Sequence, residues 1–305
     1  MDLAAVATRT VDPDESAAAL RLVDRLAAWP VTFPTSAHIA ISVIQAINDP
    51  DCSLESIAKP IQGEPLLATK VVAMANSVAY NSSGRSFTSV REAVQRIGLS
   101  MLKMLATSVV MKQMAAGIEG DRGVAASRLW EHSANVAALA SVLARRLTGQ
   151  AAEAAMFAGI VHELTGFYLL SKPSDQLGIS DAALARCLAG GGLAVPSENG
   201  QTEPLAARIG RPLLRTMHVP EPIIEAVAAT WQGHLGLPPD SLGYTLVLAD
   251  VLAPVRSPFE AQLDGGADPA AQRPEIALAV DPETLSGLQE EADEIVRSLM
   301  GGPRV

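Results

Sequence analysis

Apolar residues return every three or four positions along almost the whole of this chain, and sustained alternation is hard to find. That spacing puts them on one face of an α-helix, whereas a half-buried strand needs a period of two. Composition agrees. Roughly one residue in six is Ala, the strongest helix former, and aromatic residues make up only 4%, so the aromatic-rich signature of sheet proteins is missing. With 305 residues, 49% of them hydrophobic, the chain can bury a sizeable core. The expected fold class is all-α.

Local signals divide the chain into helices. Ile39, Val43 and Ile47 stripe one that ends at the turn Asn48-Asp49-Pro50-Asp51. Ser53 can cap a second carrying Leu54, Ile57, Ala58 and Ile61, and Glu64-Pro65 opens a third that runs to Asn76. Ser89-Val90-Arg91-Glu92 has the capping-box pattern and Gly98 offers a stop. Residues 100–114 form a methionine-rich helix, whose thioethers suit either an irregular core or an adaptable binding face. Residues 117–123 read as a linker or a long loop. Ser127 then starts a helix closed by Gly149, 151–170 reads as one helix, and others fit 181–188, 204–217, 222–231 and 244–255. Residues 190–202 and 264–274 read as loops. Asp281-Pro282 caps a last helix with a seam of Leu285, Leu288, Ala292, Ile295 and Leu299. That seam is short for a coiled coil, so it is expected to pack on the body of the same chain.

The formal net charge is −10. A nucleic-acid binder needs a basic face to neutralise phosphates, so no nucleic-acid partner is expected. Cys52 and Cys187 lie far apart and neither belongs to a CxxC pair, which points to a reducing compartment and away from a disulfide framework. The opening residues carry acids where a secretory leader would be apolar, and the apolar run 101–111 contains Lys103 and is too short to span a bilayer. The protein is expected to be soluble and cytoplasmic, with no membrane partner.

No Gly-rich phosphate loop, GxSxG elbow or HExxH pair occurs. What remains is sparse: His132 in Leu129-Trp130-Glu131-His132-Ser133, His162-Glu163 after Ala158-Gly159-Ile160-Val161, and Asp250 in Leu248-Ala249-Asp250-Val251-Leu252. Imidazoles and carboxylates on different apolar helices can converge in a bundle interior and bind a divalent metal. Equally, they can serve as hydrogen-bonded buried groups that hold helices in register. Asn76 can join a polar network or cap its helix end. Arg145-Arg146 can attract an anionic ligand or complement a helix dipole.

Several strings, taken in order, resemble those of HDOD-domain proteins, catalytically degenerate relatives of the HD-type metal-dependent phosphohydrolases found in bacterial signalling. They are Trp29-Pro30, Phe33-Pro34, Ala46-Ile47-Asn48-Asp49-Pro50, Leu54-Glu55-Ser56-Ile57-Ala58, Glu64-Pro65-Leu66 and Ala75-Asn76-Ser77-Val78-Ala79-Tyr80. Val90-Arg91-Glu92-Ala93-Val94, Arg96-Ile97-Gly98-Leu99, the two histidine strings, Val219-Pro220-Glu221-Pro222-Ile223 and Asp281-Pro282-Glu283-Thr284-Leu285 continue the likeness. The resemblance implies an N-terminal helical bundle packed against an HD-like helical half. Residues 1–20 are then a mobile segment and 21–300 one helical domain, with 21–118 as the bundle and 124–300 as the HD-like half.

Carried over, His132 and His162 match the two histidines of the HD pattern and Asp250 its last Asp, while Glu163 stands where the pattern has Asp. Glu is one methylene longer, so a site tuned to Asp need not survive. Positions for a second metal fall near Ala206 and at Thr230-Trp231, which offer no ordinary ligand, and Trp231 would be an apolar plug. The implied function is a non-enzymatic bacterial signal-transduction scaffold acting through protein–protein contacts, with a signalling protein as partner and a small regulatory ligand as an option. His132, His162, Glu163 and Asp250 are vestigial candidates expected to hold no metal, and no cofactor is expected. Asn76, Tyr80 and Trp231 are the candidate binding residues. Two alternatives stand beside this reading: a nucleotide or cyclic-dinucleotide sensor, and a residual metal-dependent phosphohydrolase.

Overall fold

The computed structural model describes residues 13–28, 33, 37–77, 80–81, 86–189, 193–196, 201–233, 235–263 and 280–300. It begins with helices α1 (Pro13–Ala28), α2 (His38–Ile47), α3 (Leu54–Gln62), α4 (Pro65–Ala75) and the long α5 (Val90–Ala116). Ser53 starts α3 as expected: its Oγ accepts from the Ser56 N–H while Ser56 Oγ accepts from the Ser53 N–H. Pro65 occupies the first turn of α4, where a missing N–H is no loss, and the Glu64 carboxylate accepts from the Leu66 N–H. The box suggested at Ser89 does not form. Ser89 precedes α5 in extended conformation but its exposed side chain makes no capping bond. Gly98 has φ of +78° and ψ of 169°, a region that disfavours any side chain, so α5 bends there and continues. Beyond the bend Met101, Met104, Met111 and Met114 are buried, so the methionine-rich face is core.

The second half corrects several boundaries. Residues 117–123 are no linker: α6 (Gly120–Leu143) begins well before Ser127, with Asp121 favourably placed in its first turn. A π-helical turn (Ala144–Thr148) carries it to Gly149, which is left-handed at φ 68°. The single helix expected over 151–170 is two, α7 (Ala152–Val161) and α8 (Leu164–Leu170), broken at His162-Glu163. Then follow α9 (Ser174–Leu177), α10 (Asp181–Leu188), an antiparallel ribbon of β1 (Ala194–Pro196) and β2 (Thr202–Pro204), and α11 (Leu205–Thr216). Strand β1 and Thr202 of β2 lie in the segment expected as loop, while Pro204, expected to open a helix, closes β2; Val195 stands opposite Glu203, and strands of three residues leave no periodicity to read. The chain goes on through α12 (Glu221–Gln232), α13 (Leu242–Leu252), α14 (Pro258–Leu263) and α15 (Pro282–Met300). Helix α13 starts early because Ser241 Oγ accepts from the Tyr244 N–H, and it stops early because Ala253 turns extended (φ −62°, ψ 132°). The 264–274 loop lies outside the described residues.

Helix α5 packs on α2, α3 and α4 and continues onto α6, α7 and α8, so one buried cluster runs from Ala19 to Leu299. Helices α6 and α7 approach each other closely: a Cβ at Gly159 would lie 2.4 Å from Ala137 Cα. Residues 13–20, expected within a mobile segment, are instead the first half of α1, where Ala19 is fully buried; residues 1–12 lie outside the described residues. Nor does α1 join the N-terminal bundle. Its principal contacts are with α11 and β1, and the Arg25 guanidinium donates to the Gln176 carbonyl. Helix α15 packs along α6 and reaches α4, with Leu288, Ala292 and Leu299 buried as the seam suggested. The Lys70 ammonium donates to the Leu299 carbonyl and so caps the end of α15. Among the described residues no helix is long and apolar enough to cross a membrane.

Candidate functional site

The break between α7 and α8 places His162 and Glu163 against His132 of α6 and Asp250 of α13. His132 Nε2 is 3.2 Å from His162 Nε2, 3.1 Å from Asp250 Oδ1 and 3.9 Å from Glu163 Oε1, and His162 Nε2 is 3.9 Å from Asp250 Oδ1. Both histidines are almost fully buried. Each ring is aimed by its other nitrogen. His132 Nδ1–H donates to the Val255 carbonyl at 2.8 Å, and His162 Nδ1–H donates to the Gly159 carbonyl at 2.7 Å. Ser257 Oγ donates to Glu163 Oε1 at 2.9 Å. The early end of α13 therefore has a purpose, since the extended segment after it delivers both Val255 and Ser257.

Those carbonyls can only accept, so both Nδ1 atoms carry protons and both neutral rings present bare Nε2 lone pairs to each other. Two lone pairs and two carboxylates facing one point need a positive charge among them. A proton on His132 meets the need: burial opposes it, but the hydrogen bond and charge of Asp250, with Glu163 and the Val255 carbonyl, outweigh burial and lift the group to about 9. His162 is held neutral, lowered to about 4 by burial and by the His132 cation against the pull of Asp250. Burial likewise raises Glu163, with Asp250 adding to it. A divalent cation would meet the same need. His132, His162 and Glu163 offer ligand atoms within 4.8 Å of one another, and the set of two imidazoles and two carboxylates fits the metal implied by the HD pattern. The longer Glu163 side chain thus still reaches the cluster.

Against His162, Glu163 and Asp250 lies a cavity of only about 20 Å³, walled also by Thr165, Ala206, Thr230 and Trp231 among others. The Trp231 ring is buried and seated on Gly210, and Thr230 Oγ1 is turned away to donate to the Val227 carbonyl. Positions 206, 230 and 231 therefore do face the cluster, and they bring no imidazole to it. Asn76 and Tyr80 lie elsewhere. The Asn76 amide donates to the Val72 and Phe87 carbonyls and accepts from the Phe87 N–H, pinning the chain after α4 back onto that helix. Tyr80 Oη donates to Glu153 Oε1 at 3.1 Å and lines a second, larger cavity. The sequence reading missed Val255 and Ser257; only the Ser257-Pro258 turn signal marks that stretch, and spacing along the chain gives no hint of where it folds.

The sequence pattern of the HDOD domain matches residues 33–232, well over half of the chain. No curated protein matches it. Among solved structures, a provisionally named metal-dependent phosphohydrolase from Shewanella amazonensis SB2B is 21% identical with a TM-score of 0.66, over 94% of this chain and 99% of its own. An HDOD domain protein with unknown function from Geobacter sulfurreducens is 20% identical with a TM-score of 0.53, over 90% of this chain and 97% of its own. At such identities the likeness is one of fold, and it agrees with the all-α architecture found here. The match across 33–232 sets the lineage: the chain belongs to the HDOD domain family.

Proposed function

We propose that this protein is a non-enzymatic bacterial signal-transduction module of the cytoplasm that works through contacts with a signalling protein, and that His132, His162, Glu163 and Asp250 serve as its structural keystone. One observation carries the reading. The cavity against His162, Glu163 and Asp250, about 20 Å³, has room for roughly one water molecule, so a phosphate ester has no place to sit. The buried Trp231 ring forms part of the wall of that cavity and takes up room that a substrate would need. One proton on His132 satisfies the whole cluster, and the cluster then ties α6, the α7–α8 break, α13 and the Val255–Ser257 stretch together.

A second reading has the donor set in its favour. His132, His162, Glu163 and Asp250 would hold a divalent metal, which when bound supplies Lewis acidity toward a phosphoryl oxygen. In that case Val255 and Gly159 orient the two rings, and Ser257 orients Glu163. The two readings separate in one experiment. Protein purified without chelator is assayed for metal by mass spectrometry and offered nucleotides and cyclic dinucleotides with Mn²⁺ or Fe²⁺. No turnover is expected. Stoichiometric metal with product formation that vanishes in His162→Ala would overturn the scaffold reading, and a pull-down from the source cells identifies the partner it requires.

A further inference from the structure

A cavity of about 390 Å³ lies apart from the histidine cluster, where α4, α6, α7 and α15 meet, and shares no lining residue with the small one. Its volume is that of a small-molecule site. Met74, Met156 and Ile295 supply an apolar wall in which two thioethers can adapt to a guest. Its charges are one-sided: Glu153, Glu291 and Glu294 against Arg145. Arg145 is already spent, because it donates to Glu291, which also accepts from Arg146 at 3.0 Å. Among the described lining residues an anionic guest would therefore find no uncommitted cation. Glu153 is met by the neutral hydroxyl of Tyr80, and among the described residues neither Glu153 nor Glu294 is paired with a cation.

We propose that this cavity binds a small amphipathic organic cation, an amine whose apolar body lies on Met74, Met156 and Ile295 and whose ammonium is held by the Glu153 and Glu294 carboxylates. The apolar wall gives affinity by burial, and the unneutralised carboxylates select the sign of the charge. The inference stands apart from the signalling reading, since it concerns occupancy of the cavity and not the output of the chain.

The test uses the full chain labelled with ¹³C at the methionine methyls, titrated with hexylamine, benzylamine and spermidine, and with hexanol and hexanoate as matched controls. Saturable shifts at Met74 and Met156 with an amine are expected, with Met101, Met104 and Met111 unmoved. Hexanoate should give none. The Glu153→Gln, Glu294→Gln double variant, altered only at exposed positions, should bind about tenfold more weakly, as two modest ion-pair contributions imply. Ala152→Phe, which fills the cavity, should abolish the shifts. The proposal falls if none of the three amines saturates either methionine, if hexanoate shifts the same methyls as strongly, or if the double variant binds the amine unchanged. The double variant decides the matter even where Ala152→Phe fails to fold.

Discussion

Two bare ring nitrogens 3.2 Å apart repel, so the space between His132 and His162 is held by a proton or by a cation. With metal removed by chelator, the proton must do it, and stability then depends on pH in a definite direction. The His132 group sits at about 9 in the folded protein, above its ordinary 6.5. The native state keeps a proton that the unfolded chain has lost, so the stabilisation is complete below pH 6.5 and gone above pH 9. Lys70 works against this at the upper end: burial, with Lys112 nearby, lowers it to about 8, so its contribution rises with pH from there. The His132 effect is therefore read as the difference between wild type and His132→Gln in chelator. That difference should shrink by on the order of 2 kcal/mol between pH 7 and 9 in denaturant titrations. A difference constant across this range would place the proton elsewhere. His162→Ala removes the acceptor facing His132 and should cost about 1–3 kcal/mol at pH 7.

At the scale of elements, Gly159 decides how near α7 can come to α6, and hence whether His162 meets His132. A methyl at that position would press within 2.4 Å of the Ala137 backbone, and backbone cannot turn aside as a flexible side chain can. Gly159→Ala should destabilise the fold by about 1–3 kcal/mol in chemical denaturation despite its better helix propensity. A neutral or stabilising result would mean that the two helices are not locked together. The closing helix makes a second case. Truncation before Pro282 strips α15 from α6 and α4, exposes apolar surface and leaves Lys70 without the Leu299 carbonyl, so the shortened chain should melt earlier and aggregate on gel filtration. A truncated chain that stays equally stable but passes from dimer to monomer would make the seam an interface between copies. These elements were mostly legible in the sequence, because three-four periodicity, the Ser53 cap, Pro65 and Asp281 are local signals. The break at His162-Glu163 was not. Apolar periodicity runs straight through 151–170, and the groups that meet the break from far along the chain, Asp250 facing His162 and Ser257 bonded to Glu163, are contained in no local pattern. The same limit hid α1, whose first half was expected within a mobile segment and whose partners α11 and β1 lie far along the chain.

For the whole molecule, the question is whether the N-terminal helices and the HD-like half fold as one unit. Helix α5 is the shared element: it is packed by α2, α3 and α4 on one side and by α6, α7 and α8 on the other, and its buried residues run almost without interruption from Met101 to Met111. Helix α15, last in sequence, touches both α6 and α4, and α1, first among the described helices, lies on α11. The chain is thus crossed at both ends, so neither half can open without exposing buried apolar surface of the other. Independent halves would leave the face of α5 toward α6 bare, a penalty of roughly 25 cal/mol for each Å² of apolar area. One cooperative unfolding transition is therefore expected, coincident by circular dichroism and by tryptophan fluorescence, with a calorimetric enthalpy equal to the van't Hoff value. The fluorescence arm is informative because Trp130 of α6 and Trp231 of α12 are both buried in the HD-like half. Helical signal lost at a lower temperature than tryptophan emission would show the N-terminal helices melting first, and would replace the single unit with two domains that merely touch.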